Sequence, residues 1–126
     1  MRYVKLGKSE LEVSRICLGC MGFGRVAGDH HAGWALEEAP SREIIRRALE
    51  MGINFFDTAM SYGGGESERI LGRALHDFAP RDQVIVATKF SPRTAEEIAA
   101  GISGAQHVND CLNKSLKRLG MDYVDL

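Results

Sequence analysis

Apolar positions along the 126-residue chain alternate between two rhythms. Short, nearly unbroken apolar runs at residues 15–19, 53–56 and 84–88 have the length and β-prone composition of buried strands. The intervening segments carry apolar residues at helical spacing instead. Pro40-Ser41-Arg42-Glu43 reads as a helix start with Ser41 as N-cap. Ile44, Ile45, Ala48 and Leu49 give that helix its apolar face, Arg42, Arg46, Arg47 and Glu50 its wet side, and Gly52 its end. A second helix is predicted over 66–75, with Ile70, Leu71, Ala74 and Leu75 inward. Thr94-Ala95-Glu96-Glu97 has the pattern of a capping box, and Gly101 and Gly104 cut the helix it opens short. A third long helix is predicted from about 106 to 119. Val108, Leu112, Leu116 and Leu119 face the sheet in that reading, Cys111 falls beside the stripe as a small buried residue, and Gly120 is the C′ cap. Residues 3–6 and 11–13, flanking the turn chemistry of Gly7-Lys8-Ser9-Glu10, predict a hairpin ahead of all this. Residues 123–126 begin a further strand. The order hairpin, βα, βα, βα, β implies a parallel sheet with right-handed crossovers.

Candidate chemistry gathers where two of the strand runs stop. Asp57 directly follows Phe55-Phe56, where an acid is half buried and costly unless a cation or donors meet it. Tyr62 follows five residues later, just before a flexible Gly63-Gly64-Gly65. Lys89 closes the run at 84–88. If those runs are neighbouring parallel strands, about 4.8 Å apart, Lys89 and Asp57 stand at one sheet edge and can pair. Each residue also has a plainer reading: Asp57 as a turn cap, Tyr62 as a packing tyrosine, Lys89 as a solvated strand end. Only their convergence favours chemistry, of the kind that α/β barrels place at the carboxyl ends of their strands.

Composition narrows the partners. The chain is 44% hydrophobic and 26% charged, with a net charge of −1. That balance gives no footprint for nucleic acid or an anionic membrane surface. No stretch approaches the roughly 18 apolar residues of a membrane span, and the first residues hold no apolar core of a secretory signal, so a cytoplasmic location is expected. Three cysteines, Cys17, Cys20 and Cys111, argue against a disulfide framework. Cys17-Leu18-Gly19-Cys20 is formally C-x-x-C, but glycines rather than a helix follow it, which leaves strand-end packing as its reading. Gly22-Phe23-Gly24-Arg25-Val26-Ala27 matches a dinucleotide fingerprint formally. The residues after it are poor helix formers, and without a helix N-terminus the pyrophosphate has no seat. That loop is read as lying over the mouth of the site, with Phe23 and Trp34 lining an apolar wall; for Trp34, ordinary loop packing is the alternative. The His30-His31 doublet lacks a third ligand, so no metal is expected there.

Several ordered segments resemble the aldo-keto reductases. They are Phe56-Asp57-Thr58-Ala59, Tyr62-Gly63-Gly64-Gly65-Glu66-Ser67-Glu68, Ile70-Leu71-Gly72-Arg73-Ala74-Leu75 and Ala87-Thr88-Lys89, with Leu18-Gly19-Cys20-Met21-Gly22 before them and Ser115-Leu116-Lys117-Arg118-Leu119-Gly120-Met121-Asp122-Tyr123-Val124-Asp125-Leu126 at the end. The resemblance implies a (β/α)8 TIM barrel, of which the chain holds the hairpin and about the first three and a half βα units. Residues 1–126 are then the N-terminal portion of a single, truncated barrel domain, whose hairpin plugs the barrel bottom. It implies NADPH-dependent reduction of aldehydes or ketones. Tyr62 is the general acid, and Lys89, paired to Asp57, favours loss of the phenol proton by its nearby charge. The family's fourth catalytic residue, a histidine after the fourth strand, has no match in His30, His31, His76 or His107. The cofactor contacts it implies here are those at the nicotinamide end, from the backbone around Cys20 and Met21 and from Asp57; Cys20 stands where the family commonly has threonine. The chain as given is expected to be an incomplete, inactive half. The family also includes channel-associated relatives, so a non-catalytic, nucleotide-sensing or regulatory subunit is the alternative.

Overall fold

The computed structural model describes residues 1–26 and 33–126. It opens with the predicted hairpin, β1 (Tyr3–Lys5) antiparallel to β2 (Glu12–Ser14), with Tyr3 opposite Ser14. Then β3 (Cys17–Gly19), β4 (Phe55–Asp57) and β5 (Ile85–Ala87) form a parallel sheet in that order, with Gly19, Asp57 and Ala87 level with one another. Helix α1 (Glu38–Glu50) connects β3 to β4, and α2 (Glu66–Phe78) connects β4 to β5. After β5 come the short α3 (Ala95–Ala99) and the long α4 (Gly104–Leu119). The last residues run along β5, where the Asp125 amide donates to the Val86 carbonyl (2.9 Å) and the Thr88 amide to that of Leu126 (3.0 Å), but they form no regular strand, and the sheet holds three. Arg81 clamps this segment, donating to Asp125 (2.7 Å) with its guanidinium 3.9 Å above the Tyr123 ring.

The core lies between the sheet and the helices. Phe56 and Val86 meet Ile45 and Ala48 of α1, Ile70, Leu71, Ala74 and Leu75 of α2, and Leu119 of α4. Burying each large aliphatic or aromatic side chain contributes about 1.5–3 kcal/mol. Glycine at position 72 brings α2 against the end of α4. An added Cβ there would sit 2.6 Å from the Leu119 carbonyl carbon and 2.8 Å from its Cα. Thr94 and Glu97 form the predicted capping box, and Gly120 ends α4 in the left-handed conformation at φ 64°. Among the described residues, no helix is long and apolar enough to cross a membrane.

Two helices differ from their sequence patterns. Helix α1 begins at Glu38, so Ser41 lies inside its first turn rather than capping it. Pro40 is tolerated there because the first amides of a helix lack intrahelical acceptors. The Ser41 hydroxyl bonds back to the Glu37 carbonyl (2.7 Å), and the buried face runs Ser41, Ile45, Ala48, leaving Ile44 exposed. In α4 the buried stripe is His107, Cys111, Ser115 and Leu119, one residue round from the expected face, while Val108 and Leu112 are exposed. Polar residues take the inner face here because His107 and Ser115 find hydrogen-bond partners, which removes the penalty for burying them.

Candidate active site

Asp57 ends β4, and Lys89 stands two residues beyond the level residue of β5. The Lys89 Nζ donates to both oxygens of Asp57 (2.8 and 2.7 Å), to the Thr58 carbonyl (2.9 Å) and to the Tyr62 hydroxyl (3.3 Å). An ammonium has three protons, so this one is fully committed. Partial burial draws the lysine's pKa down. Hydrogen bonds and charge from Asp57 and Tyr62 outweigh that and hold it above the ordinary value. The pair is wet, with the two side chains 50% and 34% exposed. Exposed pairs contribute about 0–1 kcal/mol to stability, so fold stability does not account for this arrangement.

Tyr62 is presented by a tight turn, Tyr62–Gly65, that leads into α2. Two of its three glycines are pinned rather than slack, and Gly64 between them faces open space. Gly63 (φ 55°) lies against the Gly24 carbonyl, only 2.5 Å from where a Cβ would sit, and Gly65 (φ 91°) has Arg118 Cδ 2.6 Å from that position. A side chain at Gly63 would meet backbone and displace the turn with its phenol, and one at Gly65 would strain the left-handed backbone and push Arg118 aside. The Tyr62 ring also faces the lysine, with its centroid 5.0 Å from Nζ. Because Lys89 donates to Oη, the phenol's own proton points away from the ammonium. A carboxylate, an ammonium and a phenol converge here in a way suited to giving a proton to an oxygen atom.

The other sequence candidates divide. Cys20 is wholly buried. Its amide donates to the Asp57 carbonyl (2.8 Å) and its own carbonyl accepts from Ser67 (2.7 Å). Met21, next to it, is exposed. Burial raises the pKa of both Cys17 and Cys20, with Asp57 adding to the effect, and neither is a ready thiolate. Cys20 is buried and free, as packing at the strand end requires, whereas Cys17 is free but exposed, so packing does not account for it. Phe23 is not a wall of the mouth: it is 4% exposed, belongs to the core, and bridges to Leu36. Trp34 is half exposed. His30 and His31 lie outside the described residues. Among the described residues, no three His, Cys, Asp or Glu side chains could together hold a metal ion.

His107 is buried under the 90–103 segment, with Nε2 2.7 Å from the Ser91 carbonyl and Nδ1 3.2 Å from the Glu97 carboxylate. The Ser91 carbonyl favours the imidazolium, burial opposes it and Glu97 adds to it, so the pKa lies above the ordinary 6.5. A raised folded-state value means that the stabilisation is complete below about pH 6.5 and is lost as pH rises through the folded value. Melting temperatures of the complete protein, followed upward from about pH 6, are expected to fall more steeply for the parent than for His107→Gln. Parallel curves would remove this role.

Sequence reasoning missed a buried polar group behind the site, made by Thr58, Ser67, Glu68, Thr88, Ser115 and Arg118. A signal for it existed. Ser67 and Glu68 share the inner side of a helix with Ile70, Leu71 and Leu75, where a charged residue needs a partner.

Comparison with known proteins places the chain in a family. The model of the Aldo/keto reductase family matches residues 15–126. The chain is 38% identical over 126 residues to the aldo-keto reductase YhdN of Bacillus subtilis (strain 168), covering 100% of this chain and 37% of that protein. It is 34% identical over 128 residues to a probable voltage-gated potassium channel subunit beta of Oryza sativa subsp. japonica, covering 100% of this chain and 36% of that one. An aldo-keto reductase of Bacillus halodurans, solved in its holo form, superposes with a TM-score of 0.76 at 33% identity, over 99% of this chain and 38% of its own. The chain thus spans less than half the length of these relatives.

Proposed function

The chain belongs to the aldo/keto reductase family, and from that premise we propose that it supplies the proton-transfer residues for NADPH-dependent reduction of aldehydes and ketones to alcohols. The observation that carries this reading is the Lys89 ammonium held between the Asp57 carboxylate and the Tyr62 hydroxyl. Tyr62 directs its proton away from Lys89, toward the position of a substrate carbonyl oxygen, and acts as the general acid. Lys89 stays protonated and stabilises the negative charge that the phenol oxygen acquires as its proton leaves. Asp57 fixes the lysine and balances its charge.

The residues fit a nicotinamide cofactor at this edge. A carboxylate has about four acceptor positions, so Asp57 keeps lone pairs for a ribose hydroxyl after meeting Lys89, and Met21 offers an exposed apolar contact beside it. NADPH, when bound, supplies the hydride. We assign the activity to a complete barrel, since three strands leave the sheet open and cannot exclude water from the reacting carbonyl; the 126 residues alone are expected to be inactive.

The test is NADPH consumption by the complete protein with a panel of small aldehydes and ketones. Turnover that depends on the carbonyl compound is expected, and its absence across the panel would overturn the assignment. The potassium channel relative favours a second reading, a nucleotide-sensing subunit that is not an enzyme. It would bind NADPH tightly and leave it unconsumed in the same assay.

A further inference from the structure

Beneath the Asp57–Tyr62–Lys89 cluster lies a layer of polar side chains nearly closed to solvent. Thr58, Ser67 and Glu68 are 0% exposed and Ser115 is 2%. Glu68 divides its two oxygens. Oε1 accepts from the Thr88 hydroxyl (2.7 Å), and Oε2 accepts from Arg118 Nε (2.5 Å). Arg118 also donates to the Ser115 hydroxyl (3.1 Å), and its stem lies against Gly65. Ser67 donates to the Cys20 carbonyl (2.7 Å) and lies 3.0 Å from the Thr58 hydroxyl.

The first turn of α2 therefore grips the chain beside each member of the cluster. Thr58 adjoins Asp57, Thr88 adjoins Lys89, and Gly65 closes the turn that carries Tyr62. Burying an ion pair is a poor way to gain stability, because well-packed apolar residues do as well or better. What such a pair adds is fixed geometry. Consecutive strand residues point to opposite faces, so holding the Thr88 hydroxyl on the helix side sets the tilt at which Lys89 leaves the other. The contact most exposed to that tilt is the longest in the cluster, from Lys89 to the Tyr62 hydroxyl at 3.3 Å.

We propose that Glu68, anchored by Arg118, is a positioning residue that sets Lys89 against Tyr62 through the Thr88 hydroxyl. It touches neither substrate nor cofactor. Its part in catalysis rests on the reductase reading above, while its hold on Lys89 does not.

The test compares Thr88→Val, which removes the hydroxyl at nearly constant shape, with Thr88→Ser, which keeps it, both in the complete protein. One readout is independent of activity: the Lys89 titration, followed by NMR of 13Cε-labelled lysine and assigned by its loss in Lys89→Arg. In Thr88→Val the titration is expected to fall toward that of an ordinary lysine, and kcat to fall about tenfold with KM nearly constant. In Thr88→Ser both are expected to return to the parent values. An unmoved Lys89 titration in Thr88→Val, or a Thr88→Ser as affected as Thr88→Val, overturns the proposal. If Thr88→Val does not fold, Arg118→Lys replaces it. That variant keeps a charge beside Glu68 but gives up the Nε contact, and the same fall in the Lys89 titration is required of it. A parent protein without turnover would sink the reductase reading alone, because the titration still decides whether Glu68 and Thr88 hold Lys89.

Discussion

Tyr62→Phe is expected to lower the turnover of the complete protein by about 10²–10⁴-fold, the range that a positioned general acid contributes, while NADPH affinity stays within about twofold. The substitution removes one oxygen and little else. The ring whose centroid lies 5.0 Å from Lys89 Nζ remains, so the ammonium keeps an aromatic face beside it. The turn is held by Gly63 and Gly65 against Gly24 and Arg118, none of which touches the hydroxyl. The pair of Lys89 with Asp57, and its bond to the Thr58 carbonyl, do not involve the phenol. What disappears is the proton donor and the anion that Lys89 would stabilise. Steady-state kinetics with a carbonyl substrate, alongside cofactor titration by fluorescence, separates the two quantities. An equal loss of both would mean that Tyr62 shapes the cofactor site rather than acting as the acid.

Gly72→Ala is expected to destabilise the complete protein by about 3 kcal/mol or more, at the upper end of overpacking costs. The obstacle is backbone, the carbonyl and Cα of Leu119, which cannot rotate aside as a side chain would. Helices α2 and α4 must part, and Leu71, Leu75 and Leu119, all buried in one cluster, lose contact as they do. For a domain of this family's size, a change of that magnitude lowers the melting temperature by about 4 °C. The matched control is Gly104→Ala, also helical, where an added Cβ meets nothing within 4 Å. It is expected to hold or raise stability, since alanine is the better helix former. Thermal melts of the two variants by circular dichroism check the difference. Equal melting would mean that the helices are not packed through Gly72.

The parts legible in the sequence were those fixed locally. The hairpin, the alternation of strand and helix, the Thr94–Glu97 capping box and the Gly120 cap each follow from residues a few positions apart. The meeting of Asp57 and Lys89 was also legible, because both stand at the ends of adjacent apolar runs and parallel pairing brings such ends level. The face of α4 was not. Its apolar spacing pointed to Val108 and Leu112, but His107 and Ser115 are buried through partners at Ser91, Glu97 and Arg118, which no periodicity within the helix reveals. The sequence places the start of α1 at Ser41 because its pattern does not tell a capping serine from one inside the first turn. The place of Glu68 on the apolar side of α2 was legible, but what satisfies its charge was not. Its two partners lie 20 and 50 positions away.

The full commitment of the Lys89 protons also bears on how the proposed carbonyl substrate would arrive. Paired so closely with Asp57, the lysine presents to solvent a dipole and not a free charge. The field of a dipole falls off faster than that of a single ion, and at about 8–10 Å ordinary salt screens what is left. This pair neither draws in anionic molecules nor repels cationic ones at a distance. Encounter with its part of the mouth is left to unguided diffusion, and the lysine's charge is felt only by an oxygen already at the phenol.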